Sequence, residues 1–597
     1  MLDLHPVMKR LLFTLLFFPC LLAAQDSAVP LQADAYHLVE RLDILGIAPN
    51  PLHPELKPYS RRDVAQLAMA CDSLWQNAGK ADRRDLRYLF DDNNEWVKGN
   101  SPATLTQRVP VYTDSSRTFY KLSDPYAPPL SRTTRNEHPL FGIFYQTPGY
   151  LFELDKPWFR LKINPLLYFS AGRDLDSNQT LFTNQRGLEL RGDVDGKVYF
   201  YTSVLETQAR FPSYVNARID EHDAVPGALR YKDYNSKLFG AKQGYDFNVA
   251  QAYIGFYATR HIGIQLGHGK HFIGNGYRSV FLSDFGAPAF FLQISTRVWR
   301  FHYQNLFLEL SPTSADAARP NRLLPKKYAA VHYLNFKATP NLAFGFFEAT
   351  VFNRSEQFEL QYLNPIILYR TVEAALGSPD NVLIGLDARW NLFGRCQVYG
   401  QFLFDEFRFD ALYKPREKGW WGNKFAGQIG LKYLNAFGID HLDCQMEWNA
   451  ARPYTWSHRD SLNSWTHYNQ PLGHPLGANF REGVVLLRYC PLPRLALNLR
   501  YLRAWSGEDT DTQNWGADPL RANRDRVQDY GNFIGQGVKN DLQLAGLDAS
   551  WELYHNLFID FNLLWRQKNS RDDLRDQSTL AIGGGIRLNI WRQSLDF

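Results

Sequence analysis

Cysteine and methionine are scarce in this sequence, with 5 and 4 residues among 597. Cys396 and Cys444 fall on segments that read as strands two apart. Twice the inter-strand spacing is about 9.6 Å, beyond the roughly 7 Å reach of a disulfide, so both are expected as small apolar side chains. Past the N-terminus nothing approaches the roughly 18 consecutive apolar residues of a membrane helix. No Pro/Ser linker or composition break divides the strand-rich region, which argues for one large body. Charge of one sign is also missing: a formal +5 gives no footing for nucleic acid. Neither G-x-S-x-G nor H-E-x-x-H occurs, and scattered carboxylates do not define a glycosidase pair. No enzyme activity, cofactor or metal is therefore expected.

Aromatic residues are abundant instead, at 15% with 41 Phe and 32 Tyr, and without many aliphatic helices they favour β structure. At the N-terminus Met8, Lys9 and Arg10 precede an apolar run from Leu11 to Ala23. That is a signal-peptide pattern over residues 1–24, cleaved after Ala24. Removing Asp3, Lys9 and Arg10 takes the formal charge from +5 to +4. Residues 25–100 then carry helical periodicity. Leu38, Val39, Leu42 and Leu45 form one face ending at Gly46, Ser60 with Asp63 reads as an N-cap, and Leu86, Leu89 and Phe90 mark a third helix. Arg61, Arg62, Arg83 and Arg84 are expected to be solvated. Residues 101–139 read as a connecting segment.

From residue 140 to 597 the pattern becomes strand, short turn, strand, long loop. In LDCQMEWN, Leu442 to Asn449, apolar and polar residues alternate, placing Cys444, Met446 and Trp448 on one face and Asp443, Gln445 and Glu447 on the other. Asp195-Gly196 suits a tight hairpin, and comparable turns recur before long connections such as 405–423, 451–482 and 505–540. Segments near 141–153, 159–171, 297–311 and 578–590 complete a count of about 18 strands. Short turns at one end and long loops at the other predict an all-β transmembrane barrel of about 18 antiparallel strands, with a small N-terminal helical bundle. The location implied is the outer membrane, with lipid around the wall, the bundle in the periplasm and the long loops outside. Trp390 and Trp551 near short turns, and Trp448 and Trp565 toward long loops, suit two interfacial girdles. Phe597 resembles the strand end read by the outer-membrane assembly machinery, a further expected partner, although Trp591-Arg592 interrupts the alternation before it.

Inward positions carry both signs, including Arg160, Lys162, Glu189, Arg191, Asp387, Arg389, Lys432, Glu447, Arg500 and Glu552. Such a set either cross-links itself in an occupied lumen or lines an aqueous pore. One connection stands out, GHGKHFIGNGYRSVFLSDFGAP from Gly267 to Pro288, where four early glycines permit irregular backbone and Arg278 and Asp284 supply polar groups. His268 and His271 alone do not make a metal site. Trp420, Trp421, Tyr454, Trp456, Trp465, Trp505 and Trp515 lie in or beside long connections with Arg452 and Asp460. Aromatic faces can pack on sugar rings while polar groups bond hydroxyls.

Gly274-Asn275-Gly276, Arg278-Ser279, Phe281-Leu282-Ser283 and Pro288, with QYLNPIILYR at Gln361 to Arg370 and the helical LDILGI and YSRRDVAQL, resemble the Wzi family of outer-membrane capsule-assembly proteins. The resemblance extends from about residue 33 onward, with Asn275 where family members often have a proline. It implies an 18-stranded barrel, a periplasmic bundle and a lectin-like role binding surface polysaccharide. Related proteins support gliding motility, which offers a second setting. A diffusion porin is the competing class.

Overall fold

The computed structural model describes residues 26–97, 141–236, 241–314, 323–354, 357–377, 380–414 and 417–597. The expected signal peptide and the connecting segment 101–139 lie outside the described residues. Eighteen antiparallel strands close into a barrel. The first six are β1 (Phe159–Asp174), β2 (Gln179–Val194), β3 (Val198–Arg210), β4 (Ala241–Thr259), β5 (Ile262–Gly269) and β6 (Ala289–Val298). Next come β7 (Phe301–Leu310), β8 (Lys327–Lys337), β9 (Leu342–Phe352), β10 (Asn381–Leu392), β11 (Cys396–Glu406) and β12 (Lys424–Tyr433). The wall finishes with β13 (Leu442–Ala451), β14 (Phe480–Leu492), β15 (Leu495–Glu508), β16 (Val538–Tyr554), β17 (Leu557–Ser570) and β18 (Gln577–Leu588). Pairing of β18 with β1, from Leu588 opposite Leu167 to Ala581 opposite Asp174, closes the ring. Closure leaves no strand edge to lipid.

One expected strand is lost and one unexpected strand is gained, so the count stands. The segment near 141–153 is not a wall strand; Phe152–Lys156 pairs only beside the start of β1. The strand expected near 297–311 is β7, and the strand not expected is β6, joined to it through Trp299-Arg300. No Gly, Pro or Asn marks that turn, and Trp299 itself takes φ 55°. The alternation of β13 is as expected at Met446 and Trp448, which are exposed, and at Asp443 and Glu447, which are buried. Cys444 is covered, and Tyr433 stands in register between it and Cys396, so no bridge forms. Trp390, Trp551, Trp448 and Trp565 are all exposed, as membrane girdles require.

At the short-turn end sit three helices, α1 (Asp34–Leu45), α2 (Arg61–Leu74) and α3 (Lys80–Asp92), and a short fourth, α4 (Asn94–Val97). Gly46 ends α1 at φ 64°, and the Ser60 hydroxyl caps α2 by accepting from the Asp63 N–H at 3.2 Å. Val39, Leu42, Val64, Leu67, Leu86 and Leu89 form their common core. Of the four arginines expected in solvent, only Arg83 is exposed. Arg61 is buried against Asp92 at 2.7 Å, Arg62 reaches Asp26 and Tyr257, and Arg84 pairs with Glu552 of β16. These faces are covered rather than solvated: Asp92 of α3 takes Arg61, Asp26 and the wall residue Tyr257 take Arg62, and Glu552 of the barrel rim takes Arg84.

Candidate functional site

The lumen is largely filled. Arg389 of β10 is buried between Asp43 at the end of α1 and Glu55, the latter at 2.7 Å. Lys432 of β12 meets Glu40 at 2.8 Å, and Glu95 of α4 bridges Lys162 and Arg191 at 3.1 and 3.2 Å. Burial would raise the Glu95 carboxyl, but the Arg191 and Lys162 cations overcome it and hold it near about 2. Glu40 is likewise held low, against the effect of burial, by Lys432 and Lys57. Of the inward charges read from sequence, Lys162, Arg191, Arg389, Lys432 and Glu552 are thus paired across the seam, while Glu189 and Arg500 line the space that remains.

From the bundle, Leu56 and Lys57 enter as a two-residue strand and pair with Ile273 and Phe272. These belong to the Gly267–Pro288 stretch, which folds into the lumen. Its backbone is held by wall side chains. Gln401 donates to Ile273 O at 3.0 Å and accepts from Val280 N at 3.1 Å. Glu447 accepts from Tyr277 N at 2.7 Å and from Arg278 N at 3.1 Å. A Cβ at Gly276 would lie 2.4 Å from Glu447 Oε2, which explains that glycine. Phe281 is fully buried, stacked on Phe347 with centroids 4.7 Å apart. His268 and His271 do not converge: His268 stands in register with the outward Phe290, while His271 bonds Gln293 at 3.0 Å.

Loops at the other end complete the filling. The helix Ser213–His222 lays Tyr214, Val215 and Ile219 on wall residues Val484, Leu502 and Leu544. Beyond β18 the chain turns inward, so Phe597 is not part of the last strand; its ring packs on Tyr214 and Phe285. The strand stops near Leu588, just before the Trp591-Arg592 interruption. Between this tail and the wall of β1 to β5 remains a cavity of about 420 Å³, lined by Tyr168, Gln185, Tyr201, Gln251, Lys270, Asp284 and Arg592 among others.

The residues singled out from sequence separate into four places. Trp456, Trp465 and Arg278 are buried in the lumen: the Trp465 indole donates to Phe281 O at 2.8 Å, Trp456 to Val280 O at 3.3 Å, and Arg278 pairs with Glu482 at 3.0 Å. Asp284 faces inward too, accepting from Gln32 at 3.0 Å. Tyr454 is buried beneath the loops, its hydroxyl donating to Asn514 O at 2.9 Å, and Arg452 braces Asn423 O at 2.7 Å. Trp505 lies on the outer wall 6.0 Å from Trp448. Trp420, Trp421, Trp515 and Asp460 remain at the loop surface, Asp460 exposed and the three indoles half-buried.

Trp420 and Trp421 form a surface pair with ring centroids 5.9 Å apart. Arg408 stacks over Trp420 at 4.4 Å, and Arg526 over Trp421 at 4.2 Å. Loops 407–423 and 509–537 are tied together here, Trp421 N donating to Asp529 O and Gly531 N to Lys418 O, both at 2.9 Å. Exposed Tyr413 and Tyr530 belong to the same two loops. Sequence reasoning missed Arg408 and Arg526; Arg408 shares its loop with Trp420, but Arg526 is more than 100 positions away and only folding brings it there. Under this surface burial pushes the Asp518 carboxyl up to about 6.

No family model and no curated sequence matches the chain. Among solved structures it is similar to Wzi of Escherichia coli, described as an outer membrane protein involved in group 1 capsule assembly and a carbohydrate-binding β-barrel. The TM-score is 0.55 at 12% identity, covering 95% of this chain and all of Wzi. OprD of Pseudomonas aeruginosa aligns at TM-score 0.39 and 10% identity, over 72% of this chain and 94% of its own. OccAB2 of Acinetobacter baumannii gives 0.40 and 8%, over 73% and 99%. By fold, then, the chain is a transmembrane barrel with N-terminal helices that resembles Wzi along nearly its whole length.

Proposed function

We propose that this is an exported outer-membrane barrel that binds surface polysaccharide through its long-loop face, with the helical bundle in the periplasm and no catalytic step. The observation that carries the reading is the Trp420–Trp421 pair, half-exposed and braced by Arg408 and Arg526 on tied loops above a largely filled lumen. Flat rings offer stacking area to sugar faces, and the flanking guanidinium groups donate to hydroxyls or to acidic substituents. Similarity of fold to a carbohydrate-binding barrel supports the same reading. Binding of the folded protein to an array of bacterial glycans tests it, and absence of binding to every acidic and neutral polysaccharide would reject it.

The diffusion-porin reading has one observation in its favour, the 420 Å³ cavity with its polar lining. Against it stand the paired seam and the Gly267–Pro288 insertion across the lumen. Single-channel conductance of the purified protein separates the two: the sealed barrel passes no steady current, whereas a porin does.

A further inference from the structure

The segment Phe358–Leu376, which contains QYLNPIILYR, does not join the other loops over the lumen. It lies against the outside of the barrel. On β7, Leu306, Leu308 and Leu310 belong to the lumenal core, so the alternate Tyr303, Asn305 and Phe307 face the membrane. The same parity turns His332 of β8 and Glu348 of β9 outward. Pro365 O accepts from Tyr303 OH at 2.6 Å and from Asn305 Nδ2 at 3.2 Å. Arg370 N donates to Glu348 Oε1 at 3.1 Å, and the Tyr369 ring covers His332 with centroids 3.8 Å apart. His332 and Glu348, 3.7 Å from each other on a lipid-facing wall, are thereby buried to 3% and 1% exposure.

The segment's uncovered side carries aliphatic side chains, with Gln361, Asn364 and Arg370 also exposed. Ile366 is 84% and Leu360 73% exposed, with Leu368 and Ile367 beside them. Depth follows from the register. Asn305 stands five residues below Leu310, about 16 Å along a strand rising about 3.3 Å per residue, or about 12 Å along the normal for a tilt near 40° in an apolar band of about 25 Å. Pro365, bonded to Asn305, therefore sits well inside that band. We propose that residues 358–376 are a shelf immersed in the acyl chains of the leaflet on the long-loop side, with hydrocarbon covering its aliphatic side chains.

Two arguments select lipid as the occupant. The shelf is continuous with the exposed wall residues Phe344 of β9 and Leu386 of β10, which already face lipid in a transmembrane barrel. Part of its irregular backbone is paired locally, Tyr362 N donating to Glu359 O at 3.1 Å and Thr371 N to Leu368 O at 3.0 Å, while the wall takes Pro365 O and Arg370 N. Unpaired backbone groups are costly at membrane depth, and these bonds to the wall and within the segment lower that cost. In return the shelf keeps the His332 and Glu348 side chains out of hydrocarbon, where ionisable groups are costly. The inference rests on the transmembrane fold and is independent of polysaccharide binding.

The test uses the full-length protein in phospholipid vesicles, with a nitroxide label at Ile366→Cys, at Leu368→Cys, at the wall position Leu386→Cys and at Thr512→Cys in an aqueous loop. Unsubstituted protein serves as the labelling blank, and the heat-dependent shift in electrophoretic mobility establishes that each variant is folded. At Ile366 and Leu368 collision with oxygen is expected to exceed collision with a water-soluble nickel chelate several-fold, as at Leu386, with the reverse at Thr512. Labels at both shelf positions that behave like Thr512 would overturn the proposal. Because no glycan is present, that failure would leave the polysaccharide reading untouched.

Discussion

The two mouths of the barrel are closed by different physics. At the short-turn end the bundle meets the wall through buried ion pairs, Arg389 with Asp43 and Glu55, Lys432 with Glu40, and Glu95 with Lys162 and Arg191. At the long-loop end the closure is mostly apolar and aromatic, with Phe281, Trp456 and Trp465 in one lumenal core and Tyr214, Phe285 and Phe597 in another. Ion pairs are directional and fix one docking pose of a separate body. Aromatic packing is tolerant of shape and suits loops that must fold back from several strands. The difference teaches where specificity resides: the charged seam sets register, and the loop cap supplies surface.

Breaking the seam is expected to have the largest effect. Arg389→Met leaves Asp43 and Glu55 buried beside a side chain that cannot neutralise them, a loss of about 3–5 kcal/mol. Earlier protease cleavage within residues 26–97 and a lowered midpoint of the heat-dependent mobility shift would register it; wild-type behaviour in both would refute the importance of the seam. Next comes the cap. Phe281→Ala removes the ring stacked on Phe347, at a cost of about 3 kcal/mol, and opens space in the lumen. Planar-bilayer recording should detect current bursts absent from the parent protein. A silent bilayer with an unchanged midpoint would count against Phe281 as the plug's anchor.

Much of the barrel was legible in the sequence because alternation is enforced at every residue where one face meets lipid. β13 and β17 read correctly for that reason, and so did the caps at Ser60 and Gly46. The turn at Trp299-Arg300 was not legible, since its positive φ is imposed by the strands on either side and not by a turn-forming residue. Nor were the buried arginines: Arg61 and Arg84 look like charges on solvated helix faces until Asp92 of α3 and Glu552 of the rim are brought beside them. The candidate site was legible only as a class. Aromatics in long connections were visible, but sequence spacing cannot distinguish an indole donating to Phe281 O from one facing outward, and Trp465 and Trp420 differ in just that respect.

Acid should pull the two ends in opposite directions. Glu95 has its carboxyl lowered to about 2, so the stability it contributes is complete above the ordinary carboxylate range and is lost as pH falls from there toward about 2. Asp518 is raised to about 6, so the folded loops bind its proton more tightly and gain stability as pH falls through about 6. Hydrogen exchange followed by mass spectrometry between pH 7 and pH 3 can separate them. After correction for intrinsic rates, protection in 509–537 should rise first, and protection in 26–97 should fall later. Simultaneous loosening of both regions would show that the two closures are one cooperative unit.

The smallest effect on stability, and the most informative for function, belongs to the loop surface. Trp420→Ala with Trp421→Ala removes two half-buried rings whose Arg408 and Arg526 partners remain solvated, so the midpoint should shift by no more than about 1 kcal/mol equivalent. Glycan retention should nevertheless drop by about tenfold or more, since losing two stacking platforms forfeits at least ~1.4 kcal/mol of binding. Trp465→Phe supplies the contrast. It deletes the indole N–H that donates to Phe281 O, destabilises the plug, and should leave retention by the remaining folded protein unchanged. If instead Trp465→Phe abolishes retention and the surface pair does not, the sugar is held in the lumen and the assignment of the two tryptophan groups must be exchanged.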